Sequence, residues 1–491
     1  MRARSGSLST AARKFWGSST FAAAVAAMLP FLGSVAWAVS DEADPAAALR
    51  LIKIIPIPPT PQNSVGGMFS FDISWVDPAN GLYYLADRSN KALDVIDTTG
   101  AFTGGKTDTL FGQIGGAAFG FAGDVLNPNG LSNTAISGPD GVVAGFPCIF
   151  AGDAGSRLIS INGAASFVQP VSIVNTGGQF RVDEMAIDTK DGLVIAANNA
   201  EPVPFTSIYT YNKSTCVLSN QIKTFFNALP GGHVATNGIE QPVWEPSTQR
   251  FYVSLPEIDG PGDGTGINGA VAKINPLTGA IETFYPVNYM QPAGLTVGPN
   301  GDLLVGSNSV FDFSGKKCGA VVPAPSPTGN DLLGKPLPAS VTPAKPALCT
   351  GIGNPQEAIC NPGRGCTPAN GSLVAVAGAG GGDEVYFNAG DGNYYVTAGN
   401  NPPGPTFGVI ASGVNTPANT LTQLVPTLPP DPAAVGVHGA GTVHSIAACG
   451  QTPNGPCTTN KVYVPLPANT SYVDQFGNTC AQGCVAVFSA Q

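Results

Sequence analysis

One short pattern recurs along this chain of 491 residues and limits its possible folds more than any other feature. A small or acidic opener leads into a short apolar strand, an Asp/Pro/Gly turn, and then a strand of aromatic and β-branched residues. The first copy is Phe71-Asp72-Ile73-Ser74-Trp75, the turn Asp77-Pro78-Ala79-Asn80-Gly81, and Leu82-Tyr83-Tyr84-Leu85-Ala86, with a third strand at Ala92-Leu93-Asp94-Val95-Ile96-Asp97. Two-residue alternation closed by turn residues specifies an antiparallel meander. Six more openers match: Ser137-Gly138-Pro139-Asp140-Gly141-Val142, Val182-Asp183-Glu184-Met185-Ala186, Gly238-Ile239-Glu240-Gln241-Pro242-Val243, Gln291-Pro292-Ala293-Gly294-Leu295, Gly382-Asp383-Glu384-Val385-Tyr386 and Val443-His444-Ser445-Ile446-Ala447. Second strands follow several of them, at 193–197, 250–255, 302–306, 393–398 and 461–465. Seven small sheets at such intervals predict an all-β fold, a seven-bladed β-propeller.

The ends of the chain predict how the ring closes. After 461–465 only one further strand is apparent, at 484–488, so the last blade is one strand short. Residues 51–57 form a lone β-rich segment without a blade of their own. Pairing this N-terminal strand into the last blade as its outer strand would close the ring and cover an open edge. Glycine and proline, at 63 and 44 residues, make up more than a fifth of the chain, nearly twice the usual ~12%. They fall in the blade loops and in a Pro/Gly/Cys-rich excursion at about 313–375.

The first 38 residues read as a signal peptide, with 39–491 a single propeller domain. Arg2, Arg4, Arg13 and Lys14 precede an apolar run at 21–32, and Ala36-Trp37-Ala38 supplies the small residues of a cleavage site. That run is shorter than the ~20 residues a membrane span needs. Loss of the leader takes four of the 22 basic residues and no acidic ones, so the net charge moves from −10 to −14. Such an acidic chain argues against nucleic acid and anionic membranes as partners. The expected state is a secreted or periplasmic monomer that meets a small molecule or extracellular ligand. All ten cysteines follow the leader, an even number suited to disulfides in an oxidising compartment. Their pairing is left open by the sequence, with local staples plausible at Cys360/Cys366, Cys449/Cys457 and Cys480/Cys484.

Tyr83-Tyr84-Leu85-Ala86-Asp87-Arg88-Ser89-Asn90, Asn237-Gly238-Ile239-Glu240-Gln241-Pro242-Val243-Trp244, Gly381-Gly382-Asp383-Glu384-Val385 and His444-Ser445-Ile446-Ala447 with Val462-Tyr463-Val464-Pro465 resemble the YVTN-type secreted β-propellers. That group is loosely akin to gluconolactonase-like propellers. The resemblance spans nearly all of the chain after the leader except 313–375. It implies the fold, and as functions either a binding scaffold or lactonase and lyase chemistry. Gluconolactonase-like enzymes hold a divalent metal through a Glu of an opening Glu-Gly-Pro motif, with Asn and Asp. Here the first opener is Phe71-Asp72-Ile73, so no metal residue carries over from that family.

In a propeller the openers gather around one mouth of the central channel, a usual ligand site. Here they are acidic: Asp140, Asp183, Glu184, Glu240, Asp383 and Glu384, joined by His444. Clustered carboxylates suit a divalent cation such as Ca²⁺, with Asp140, Asp183, Glu240 and Asp383 as the metal ligands. Asp140, Asp183, Glu184 and Glu384 are the candidate ligand-binding groups. In an enzymatic alternative, a metal-assisted lactone or ester hydrolase or a lyase, the catalytic candidates are His444, Glu240 and Asp383. Opener side chains also fix neighbouring blades by bonding loop backbone, which is a purely structural role. Asn198-Asn199, Ser307-Asn308 and Asn400-Asn401 follow second strands and read first as turn residues, second as rim amide ligands. Asp259-Gly260-Pro261-Gly262-Asp263-Gly264 reads as a blade-loop turn, since it lacks the ligand spacing of a Ca²⁺ loop. The three histidines His233, His438 and His444 lack metal-site spacing. No GxSxG, HExxH, P-loop or strand-to-helix GxGxxG occurs, which removes common serine hydrolases, zincins, NTPases and Rossmann enzymes.

Overall fold

The computed structural model describes residues 49–311, 356–370, 372–377, 382–398, 406–414, 418–427, 444–448 and 461–490. The leader, Cys318, Cys349, Cys449, Cys457, His438 and Asn400-Asn401 lie outside the described residues. The chain is a seven-bladed β-propeller. Seven four-stranded antiparallel sheets follow one another, with one extra two-stranded ladder. The innermost strand of each blade contacts that of the next, and Ser74–Val76 of blade one contacts Ala447–Ala448 of blade seven, so the ring is complete.

The turn chemistry of blade one shows why these segments fold locally. Asp77 Oδ1 accepts from the Ala79 N–H at 2.9 Å, and Asn80 Oδ1 accepts from the Leu82 N–H at 2.8 Å. Gly81 sits at φ +72°, where a Cβ would meet the Thr99 side chain. The strands that follow, Leu82–Asp87 and Ala92–Asp97, are buried throughout. Aromatic residues make the joints between blades. Tyr83 of blade one lies 5.5 Å from Tyr463 of blade seven, and Phe407 of blade six lies 5.0 Å from Phe488 of blade seven. Blade seven's inner strand is only Ala447–Ala448, and Tyr386 of blade six reaches past it to donate to the Ser74 carbonyl of blade one at 2.7 Å.

Closure runs as the sequence predicts. The sheet of blade seven is ordered Ala447–Ala448, Lys461–Leu466, Cys484–Ala490 and, outermost, Leu49–Pro56. The register runs from Leu49 opposite Ala490 to Pro56 opposite Cys484. Ile54, Ile55 and Ile57 are buried by this pairing. A hairpin absent from the sequence reading, Asn469–Val473 with Thr479–Cys480, covers the seam, and Asp474 Oδ2 accepts from the Ile54 N–H at 2.9 Å. Gln423 of blade six bonds the Leu49 backbone, and Lys461 meets Asp108 of blade one at 2.6 Å. Within 313–375, Gln356–Cys360 and most of Leu373–Ala377 are the outer strands of blade five rather than excursion. They are short and flanked by Cys, Pro and Gly, which hid their strand pattern.

Three disulfides join described residues. Cys360–Cys366 and Cys480–Cys484 are the local staples, and Cys148–Cys216 ties the second strand of blade two to a turn of blade three. The last encloses a separation of 68 residues, against 4 for Cys480–Cys484. Loop-closure entropy then predicts that a C148A/C216A variant loses about 4 kcal/mol and a C480A/C484A variant about 2. Urea unfolding of the two double variants checks the order; equal losses would mean that chain entropy is not what these bonds contribute.

Candidate functional site

A repeated backbone bond places the openers. The N–H groups of Asp72, Asp140, Asp183 and Glu240 each donate, at 2.9 Å, to a carbonyl of their blade's second strand: Ala86, Gly152, Ala197 and Ser254. Each opener side chain thus leaves its blade from the same point, at the same end of the ring. All the opener residues singled out by sequence are brought to this mouth, together with Asp72 and two arginines that the sequence reading passed over.

Arg88 and Arg181 divide the mouth into two halves. Arg88 pairs with both Asp72 and Asp140 and also donates to the Phe71 carbonyl at 3.2 Å. Arg181 meets Asp183 at 2.5 Å, Asp72 at 3.4 Å and Asp140 at 3.8 Å. Asn199 joins this lattice, donating to Asp183 at 2.5 Å and accepting from Arg181 at 3.3 Å. Burial acts to lower the Arg181 pKa, but Asp183, Asp140, Glu240 and Glu184 outweigh it and raise it. Burial also pushes Asp140 up to about 7, with Arg88 and Arg181 pulling the other way. His444 stacks on Phe71, with ring centroids 5.3 Å apart, and its Nε2 lies 3.0 Å from Asp72 Oδ1.

Beyond the arginines stand Glu184, Glu240, Asp383 and Glu384. Glu184 is only 4% exposed, and its Oε2 has no hydrogen-bond partner. Burial raises its pKa far above the usual carboxylate range, and Glu240, Asp183, Asp383 and Glu384 add to the shift. Glu240 is raised by burial and then by Asp383 and Asp183, against Arg181 and Asn199. Glu384 is raised by burial, with a hydrogen bond from Ser445 opposing. Ser445 is also bonded to Ser74 at 2.8 Å. Asn308 donates to Asp383 at 3.2 Å.

One sequence expectation changes. Asn199 and Asn308, expected first as turn residues, are rim amides bonded to opener carboxylates: Asn199 to Asp183 of its own blade, Asn308 to Asp383 of the next. Among the described residues, no three His, Cys, Asp or Glu side chains form a group that could hold a metal ion. Asp140 and Asp183, two of the four expected ligands, are paired with guanidinium groups. The signal for the missed arginines was present: in a chain with 22 basic residues, Arg181 stands two positions before the opener Asp183.

No family model matches the chain, and no curated protein matches it. Among solved structures it is similar to Kuenenia stuttgartiensis hydrazine synthase, with a TM-score of 0.52 at 12% identity over 88% of this chain and 97% of that one. It is also similar to a chain of a mitotic checkpoint complex (TM-score 0.49, 8% identity, 94% of this chain and 98% of that one). The Neurospora crassa Pan2 WD40 domain aligns at 0.46 and 8% identity, over 91% and 96%. At such identities the likeness concerns the propeller fold alone.

The raised carboxyls predict a sign for the pH dependence. Glu184, Glu240 and Glu384 hold protons in the fold at pH values where unfolded carboxylates, near pH 4, have lost them. The folded state therefore binds more protons, and stability falls as the pH rises from about 5 to 8. Glu184→Gln should flatten that decline in thermal melts across this range; an unchanged slope would place the titration elsewhere. Arg181→Met, which leaves the buried Asp183 without its cation, should cost about 3–5 kcal/mol in urea unfolding.

Proposed function

We propose that this propeller is a binding module that takes a small cation at its acidic mouth. One observation carries the reading: Glu184, a buried carboxyl with no hydrogen-bond partner on Oε2, lies within the fields of Glu240, Asp383 and Glu384. Arg88 and Arg181 are already committed to Asp72, Asp140 and Asp183. Four carboxyl groups thus have no ion pair among the described residues, and a positive ligand is the partner that would let the buried Glu184, Glu240 and Glu384 ionise. Among the described residues these side chains form no group ready to ligate a metal directly, which leaves a hydrated Ca²⁺ ion or an organic ammonium as the cation. A secreted or periplasmic setting is in keeping with the disulfides, and no helix of the described residues is long and apolar enough to cross a membrane.

A second reading, the metal-assisted lactone or ester hydrolase or lyase of gluconolactonase-like propellers, draws on His444. Its ring is held by Phe71 and Asp72 at the edge of the mouth, as a general base would be. The absence of a ready ligand group among Asp140, Asp183, Glu240 and Asp383 makes it the weaker of the two.

Calorimetric titration with Ca²⁺ and with ethylenediammonium at neutral pH tests the first reading. The expected result is saturable binding with proton release, seen as a dependence of the heat on buffer ionisation enthalpy. An E184Q/E240Q variant should lose both binding and proton release. If neither cation binds, or if the double variant binds as well as the native chain, the mouth is a structural clasp. Turnover of a lactone and ester panel that disappears in His444→Ala would favour the second reading.

A further inference from the structure

The channel has a second end, and a cavity of about 260 Å³ lies there. It is lined from five successive blades, by Trp75, Ala144, residues 185–190, residues 241–244 with Pro246 and Gln249, and Leu295 with Val297. Only the ring axis is shared by five blades, and the lining includes the turns that follow the inner strands. The cavity is therefore at the mouth opposite the openers. One strand, Met185–Asp188, links the two: Glu184 precedes it and Asp188 ends it, roughly 13 Å apart at strand rise.

Much of the wall is apolar. Trp75 already donates its indole N–H to the Ala144 carbonyl at 2.9 Å, so its ring face is what remains to offer. Trp244 is partly exposed and is braced by Phe251, with ring centroids 4.9 Å apart. Met185 and Pro246 complete this surface.

Asp188 is the acidic residue among the walls, which also carry Thr189, Lys190, Gln241 and Gln249. The matching turn residues of two other blades use both carboxylate oxygens internally. Asp77 accepts from the N–H groups of Ala79 and Phe146, at 2.9 and 2.8 Å. Glu245 accepts from those of Ser247 and Thr248, at 2.9 and 2.7 Å. Asp188 Oδ1 likewise accepts from the Lys190 N–H at 2.9 Å, but its Oδ2 is buried and has no partner. A buried acceptor without a donor is costly, and a ligand that brings one removes the cost.

We propose that this cavity is a second binding site, for a small ring-bearing molecule that carries a hydrogen-bond donor, its ring against Trp75 and Trp244 and its donor on Asp188. A volume just under the ~300–1,000 Å³ of drug-sized sites keeps the ligand to one or two rings. The site is independent of the acidic mouth.

Trp75 and Trp244 are two of the chain's four tryptophans, so their fluorescence reports on the cavity directly. The probes are 2-phenylethylamine, 2-phenylethanol and phenylacetate, titrated against the full chain by fluorescence and calorimetry. The amine and the alcohol should bind saturably and change the tryptophan emission, while phenylacetate, which brings a negative charge to Asp188, should not. Asp188→Asn should weaken the amine about tenfold or more, as loss of a charge-assisted bond does. Thr189→Trp, at an exposed position on the cavity rim, should exclude both probes while the thermal melt stays native. E184Q/E240Q should leave amine binding here unchanged. Absence of saturable binding by both amine and alcohol, binding without an emission change, equal affinity in Asp188→Asn, or loss in E184Q/E240Q in place of Asp188→Asn would each overturn the proposal.

Discussion

Each blade buries the face of its sheet against the next blade, so the ring has to meet itself before any blade is fully covered. Strand Leu49–Pro56 makes that meeting, because without it blade seven ends in an open edge beside blade one. Its contacts show how the seam is fastened: Ile54 and Ile55 into the core, Asp474 on its backbone, Gln423 from blade six. Ring closure in turn holds the openers at a common radius. The Arg88 and Arg181 lattice spans blades one to three, and His444 enters it from blade seven, a contact that exists only in a closed ring.

The mouth itself shows two ways of handling crowded carboxylates. Asp72, Asp140 and Asp183 are matched by guanidinium groups, whose planar fork engages several oxygens at once. Glu184, Glu240 and Glu384 have no guanidinium paired to them, and burial outweighs the contacts they do make, so they favour their protonated forms. The first half is finished architecture. The second half is held in a form that a cation would change. The far end of the channel differs in kind, with tryptophan faces and a single unpartnered carboxylate oxygen where the near end has a charged lattice.

The fold was legible because turn chemistry and strand alternation are local. Ala92–Asp97 and Arg250–Leu255 stand in the structure where the alternation placed them. Blade five was harder, since its inner and outer strand pairs are separated by residues 312–355, outside the described residues, and its outer pair is short. The acidic openers could also be read, because each repeats at one point of the blade. Arg88 and Arg181 were harder: Arg181 stands close to an opener, but each lies outside the repeat and also pairs with a carboxylate of another blade. Asp188 looked like an ordinary turn aspartate. What distinguishes it is the lack of a donor in the next blade, which Asp77 finds in Phe146 and which no spacing rule reveals.

The closing strand also sets an order in time. Leu49–Pro56 is synthesised first, and its partner residues follow more than four hundred positions later. At ~5–20 residues per second, that is an interval of tens of seconds. During it Leu51, Ile52, Ile54 and Ile55 have no sheet to join. A β-prone segment of that kind invites pairing with other chains. The strand that completes the finished ring is thus its most exposed liability while the ring is being made, and crowding of nascent chains should be the condition under which this protein misassembles.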